Sequence, residues 1–175
     1  AIILKFYDLV LNRNKNFYLN KKTIEVESFD QKFMDFTIGY ETLQITGWTL
    51  ENLQSMSWNL ERSLKFGDRI HGHLVSGHVD GQVMLLERVQ EGECLILDFE
   101  LPETHKKTIW KKSSVTLNGV SLTVNEVTKG SFSVCLIPET LKKTNLDFLK
   151  KGERVNIETD YYMKGLLNSQ GEWNA

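Results

Sequence analysis

One short signature occurs twice in this chain at a fixed spacing. Glu41-Thr42-Leu43 followed by Thr46 returns as Glu139-Thr140-Leu141 followed by Thr144, and 139 − 41 = 98. Asn20 to Val26 (NKKTIEV) lies against Asn118 to Val124 (NGVSLTV) at the same distance, and Met34 and Phe36 fall on Phe132 and Val134. Asn59-Leu60-Glu61 matches Asn156-Ile157-Glu158 at 156 − 59 = 97, so the first copy carries one extra residue. Self-similarity at a constant offset marks a duplicated structural unit. The chain is expected to fold as two homologous units, and its 175 residues are enough for two small cores.

Within each unit the pattern is that of strands. Glu93 to Phe99 alternates, with Leu95, Leu97 and Phe99 on one side, and Phe33 to Ile38 alternates as well. Gln82 to Arg88, Ser114 to Leu117, Val120 to Val127, Ser131 to Ile137 and Arg154 to Thr159 read as further strands. Asn118-Gly119 is a hairpin-turn signal and Lys129-Gly130 a second turn. In the first unit, Ala1 to Tyr7, Thr23 to Val26 and Trp58 to Glu61 are expected to be strands, with Asn12 to Asn16 a loop. Pro102 to Lys112 and Pro138 to Leu149 have room for a short helix or turn, and Tyr161 to Leu167 starts a C-terminal helix. Many short strands at turn spacing predict a small all-β barrel or sandwich.

The boundaries follow from the repeat: a divergent first unit over 1–63, a linker and second unit over 64–160, and a tail over 161–175. The second copy opens near Ser76 to Gly81, and the equivalent segment of the first copy falls before residue 1. The first unit is therefore expected to lack its opening strand in this sequence. The initial Ala in place of Met makes a fragment the favoured explanation.

Net charge is −2, with 21 basic and 23 acidic residues and no basic block, which argues against a nucleic-acid partner. No apolar run is long enough to span a membrane, and two cysteines do not make a secreted disulfide scaffold. A reduced, cytoplasmic protein is the expectation.

Chemistry concentrates in Gly72 to Gly81 (GHLVSGHVDG), which holds two histidines, a hydroxyl and a carboxylate among three glycines. His73 and His78 are five apart and His71 and His73 two apart; neither spacing makes a metal site without further ligands. His78, flanked by Ser76, Asp80 and two glycines, is the candidate for proton transfer. Ser121 and Thr123 share a strand face opposite Val120, Leu122 and Val124, which suits either a pocket wall or a solvent-facing stripe. Asp160 ends the last strand as a carboxylate or helix cap. No nucleophile elbow surrounds Ser121, and no phosphate-binding glycine loop or dinucleotide fingerprint occurs.

Taken together, GHLVSGHVDG, the NGVSLTV segment, Ile137 to Leu141 (IPETL) with Thr144, and Val155 to Glu158 followed by Asp160 resemble riboflavin synthase, as does the duplication. The resemblance is dense from about Phe33 to Asp160 and most specific over 64–160. It implies two tandem six-stranded Greek-key β-barrels, the first N-terminally incomplete here, with a short C-terminal helix. It implies dismutation of two 6,7-dimethyl-8-ribityllumazine molecules to riboflavin and 5-amino-6-ribitylamino-uracil, without metal or cofactor. A homotrimer with its active site between barrels of neighbouring subunits is expected, with association to lumazine synthase a further possibility. Carried over by motif, His78, Ser121 and Asp160 take catalytic roles. Gly77, Val79, Thr123, Ile137, Thr140 and the first-copy Thr42 line the substrate pocket. The family's first copy reads N-G-x-C-L-T-V; here Lys21 replaces the glycine, Thr23 the cysteine and Glu25 the threonine. Two functions stay open on these residues: an active synthase, and a non-catalytic lumazine- or flavin-binding relative.

Overall fold

The structure, a computed structural model, describes residues 25–29, 34–38, 40–49, 57–59 and 65–171. Its centre is a closed barrel of six strands: β3 (Gly81–Glu91), β4 (Cys94–Glu100), β5 (Ser114–Leu117), β6 (Val120–Val127), β7 (Ser131–Leu136) and β8 (Arg154–Thr159). Around the barrel the order is β3-β4-β7-β6-β5-β8, with every neighbouring pair antiparallel and β8 closing onto β3. The long step from β4 across to β5 makes this a Greek-key path. Closure removes the open edges that such short strands would otherwise expose.

Alternation sets which face is inside. Leu95, Leu97 and Phe99 of β4 are buried while Ile96 and Asp98 between them are half-buried. Phe99 stacks on Phe132 of β7 with ring centres 5.8 Å apart, and the two strands pair at that residue. Val83, Leu85, Val115, Leu117, Val124, Val134, Leu136 and Ile157 are buried in the same core. Each buried side chain of this size contributes roughly 1.5–3 kcal/mol relative to exposure. The Asn118-Gly119 turn forms as expected: both residues have positive φ, 45° and 78°, as a two-residue hairpin requires.

The connections resolve into short helical pieces. Glu103–His105 is a single 3-10 turn within the segment expected to hold a short helix. Pro138 opens α2 (Pro138–Lys143), where its missing N–H costs nothing, and a 3-10 turn at Asn145–Phe148 follows. Asp160 caps α3 (Tyr161–Ser169), its carboxylate accepting from the backbone N–H groups of Tyr162 and Met163.

In the first half, β1 (Glu25–Phe29) and β2 (Met34–Thr37) form an antiparallel pair, followed by α1 (Tyr40–Thr46). Their register is that of β6 and β7 at the offset of the repeat. Val26 opposes Phe36 as Val124 opposes Val134, and in each hairpin a bulge follows immediately, between Val26 and Ser28 and between Val124 and Glu126. Thr46 Oγ1 donates to the Thr42 carbonyl at 2.6 Å, and Thr144 Oγ1 to the Thr140 carbonyl at 2.8 Å.

The strands expected at Ala1 to Tyr7 and the loop at Asn12 to Asn16 lie outside the described residues, as do Lys21 and Thr23. Trp58 and Asn59 are not in a strand, contrary to expectation, and Leu60 and Glu61 lie outside the described residues. Their side chains are committed elsewhere. Trp58 meets Trp48 edge-on at 5.0 Å, and Asn59 exchanges hydrogen bonds with Asn145 while donating to the Asn118 carbonyl. Gln82 Nε2 reaches the Thr46 carbonyl at 2.6 Å, a second tie between the two halves.

Candidate functional site

The segment 72–80 runs over the barrel wall formed by β5, β6 and β8, and three side chains hold it there. The first is Ser121 on β6. Its hydroxyl accepts from the His73 backbone N–H at 3.2 Å and lies 2.7 Å from His73 Nδ1. The other ring nitrogen, Nε2, lies 3.1 Å from Thr116 Oγ1, so both ring nitrogens have a hydroxyl partner. Burial lowers the His73 pKa, against the opposing pull of Asp160 and Glu158. A neutral ring bonded to a serine hydroxyl is the result.

Gly72 makes this approach feasible. Its φ is +86°, and a Cβ there would come within 2.3 Å of Ser121 Oγ. No side chain fits without moving the serine, so the glycine is required by space as well as by backbone conformation.

Glu158 on β8 is the second anchor. It is 4% exposed, and its carboxylate collects the Ser76 N–H at 2.8 Å, the Ser76 hydroxyl at 2.7 Å and the Gly77 N–H at 3.0 Å. A buried carboxylate is tolerated because charge-assisted bonds of this kind offset its lost hydration. Ser76 in turn meets His78: Oγ and Nδ1 are 3.0 Å apart. Asp80 is the third anchor. One oxygen accepts from the Thr159 N–H and hydroxyl at 2.7 and 3.0 Å, and the other pairs with Lys164 of α3.

The expected site residues fall into two groups. Gly77, His78, Val79, Ser121 and Asp160 gather around the 72–80 segment and the ends of β6 and β8, His78 exposed and Val79, Ser121 and Asp160 half-buried. Thr123 is exposed and two residues along the same strand, opposite Ser114. Ile137, 55% exposed, and the half-buried Thr140 sit at the end of β7 and on α2, with no hydrogen bond to the 72–80 segment among the described residues. Thr42 lies on α1 in the first half, its carbonyl taken by Thr46. No group of three or more His, Cys, Asp or Glu side chains among the described residues is placed to hold a metal ion. No helix among the described residues is long and apolar enough to cross a membrane.

Sequence alone gives no role to His73, Thr116 or Glu158. A histidine two before Val75-Ser76 carries no periodic signal, and its partner is 48 positions away. Glu158 had one: Asn156 and Glu158 alternate with Val155 and Ile157 along the strand, with Asp160 at the next step of the same period.

Comparison with known proteins relates the chain to one family. The family model described as "Lumazine binding domain" covers residues 76–160, which begin at the Ser76 anchor and end at Asp160. Riboflavin synthase of Escherichia coli (strain K12) is 38% identical over 148 residues, 83% of this chain and 68% of that protein. Riboflavin synthase of Brucella abortus (strain 2308) is 42% identical over 142 residues, 81% of this chain and 64% of that protein. The chain thus spans less than two thirds of the Brucella relative's length. Among solved structures, LumP complexed with riboflavin aligns with a TM-score of 0.54 and 26% identity, over 58% of this chain and 55% of that one.

Proposed function

The chain belongs to the riboflavin synthase family, and from that premise we propose that it converts two 6,7-dimethyl-8-ribityllumazine molecules into riboflavin and 5-amino-6-ribitylamino-uracil. The observation that carries the reading is the clasp of 72–80 onto Ser121 and Glu158, within the stretch that matches the Lumazine binding domain. It collects a histidine free to move a proton, a serine–histidine pair and a helix-capping carboxylate on one side of a closed barrel.

The substrate is an electron-poor bicycle with an acidic 7-methyl group. Moving a four-carbon unit from one copy to another needs that methyl deprotonated, two rings held face to face, and water kept out. Orientation supplies much of such a rate enhancement, with proton transfer adding about 10²–10⁴-fold. In this reading His78 moves the methyl proton. Ser121 and Thr123 contact the ring system, and Gly77 and Val79 present the 72–80 backbone to it. Ile137 and Thr140 line the same pocket. Asp160 uses the oxygen not spent on the α3 cap for ribityl hydroxyls or a neighbouring subunit. Thr42 occupies the position of Thr140 in the first half.

The same reading makes the protein a cytoplasmic transferase, built from an internal duplication and assembled as a homotrimer. Each site then forms between halves of neighbouring subunits, and contact with lumazine synthase is a further expectation. No metal or cofactor takes part.

A second reading is favoured by one observation. Lys21, Thr23 and Glu25 replace the glycine, cysteine and threonine of the family's first copy. A threonine hydroxyl does not form the thiolate that a cysteine offers. On that reading the chain binds a lumazine or flavin without turning it over, and Thr23→Cys creates turnover where there was none.

Mixing the purified chain with 6,7-dimethyl-8-ribityllumazine and following riboflavin absorbance separates the two. One riboflavin formed per two lumazines consumed supports the synthase. Saturable binding with no riboflavin supports the non-catalytic relative.

A further inference from the structure

We propose that Ser76 and Glu158 are positioning residues that set the tautomer of His78 and leave its Nε2 as the proton acceptor. The identity of the proton taken rests on the synthase reading above; the tautomer rests on geometry alone.

A serine hydroxyl owns one proton. Glu158 offers Ser76 only acceptor oxygens, already turned toward the N–H groups of Ser76 and Gly77, so at 2.7 Å the Ser76 proton goes to the carboxylate. What Ser76 Oγ then presents to His78 Nδ1, 3.0 Å away, is a lone pair. Nδ1 must carry the hydrogen. A neutral imidazole has one N–H, so Nε2 is left unprotonated, and His78 is exposed. The order of groups is carboxylate, hydroxyl, imidazole.

The scaffold makes this order rigid. Glu158 is fixed in the barrel wall on β8, and Gly77, at φ +82°, turns the chain just after the two N–H groups that face the carboxylate. The neighbouring histidine has no such carboxylate behind its serine: Ser121 Oγ accepts the His73 backbone N–H and lies 2.7 Å from Nδ1, which leaves the direction of that contact open.

The step balances simply. The C–H bond of the 7-methyl group breaks and its electron pair stays on the lumazine ring. The proton forms a bond to His78 Nε2, giving an imidazolium whose Nδ1–H remains bonded to Ser76. The proton returns when product forms.

Ring nitrogen NMR on the full chain with ¹⁵N-histidine tests this, with the His78 signals assigned by their loss in His78→Gln. Well above the ordinary imidazole pKa of about 6.5, the expected state is Nδ1 protonated and Nε2 bare. Ser76→Ala is expected to move the ring toward Nε2–H, and Ser76→Thr to keep the original tautomer. Glu158→Gln, whose amide donates to Ser76 and turns the hydroxyl toward Nδ1, shifts it the same way as Ser76→Ala. A His78 already in the Nε2–H form, or one whose tautomer ignores Ser76→Ala, overturns the proposal. In turnover, Ser76→Ala lowers kcat about tenfold with KM changed less than about twofold, and Ser76→Thr recovers it; an unchanged kcat overturns the positioning role. A chain with no turnover at all counts against the synthase reading, while the ring nitrogens still decide the tautomer.

Discussion

The hairpin β1–β2 and the hairpin β6–β7 have the same register, the same bulge and the same threonine bond in the helix that follows, yet different polar residues. Val26 and Val124 take equivalent places before the bulge. Where the second half has Ser121 and Thr123, the first has Thr23 and Glu25. Backbone pairing is set by alternation, turn chemistry and bulge position, which survive many substitutions. A site needs particular atoms at particular distances, and Ser121 keeps its place only because Gly72, His73 and Thr116 fit around it. Repetition of a backbone therefore does not carry repetition of chemistry.

The sharpest way to break the comparison is to break the second half alone. Phe132→Ala removes half of the Phe99–Phe132 stack at the barrel's centre and is expected to cost about 3–5 kcal/mol in urea unfolding. Ser121→Ala removes the hydroxyl that His73 grips; turnover is expected to fall about 10²-fold while the unfolding midpoint moves little. A loss of that size from the alanine variant of Thr23 instead would place the chemistry in the first half.

Acid provides a third lever. His105 is 6% exposed, its Nδ1 has no partner among the described residues, and burial lowers its pKa, with Asp80 opposing and Lys164 reinforcing the shift. A folded pKa below the unfolded value means that the unfolded chain takes up the proton first as pH falls. Stability is then full above about pH 6.5 and declines below it, by at most about 1.4 kcal/mol per pH unit for this group. His105→Gln is expected to flatten that slope in unfolding measured between neutral and mildly acidic pH. Smallest are Thr46→Val and Thr144→Val. Each removes a hydroxyl-to-carbonyl bond that closes a short helix and is expected to cost about 1 kcal/mol, Thr144→Val slightly more because its hydroxyl also accepts the Leu146 N–H. A larger cost for Thr46→Val would mean that the two helices are held differently.

How much of this could be read in advance follows the same division. The strands of the barrel were legible where apolar residues alternate, as in Leu95, Leu97 and Phe99, and the hairpin was legible in Asn118-Gly119. Asp160 was legible as a cap because it precedes an apolar helical run. The strand expected at Trp58 to Glu61 fails at Trp58 and Asn59, since an Asn–Asn clasp and a Trp–Trp contact outweigh local strand preference. The expectation that His78, Ser121 and Asp160 act together came from resemblance to a family. The links between them did not, because Glu158 reaches Ser76 across 82 positions and His73 reaches Ser121 across 48. Local patterning carries no information about such pairs.

The most direct measurement is a titration with 6,7-dimethyl-8-ribityllumazine, followed by its fluorescence, on chains altered in one half at a time. Replacing Ser121 and Thr123 by alanine is expected to abolish saturable binding, and replacing Thr23 and Glu25 by alanine to leave it within about threefold. Binding that survives the first pair and disappears with the second would contradict the assignment of the site to the second half.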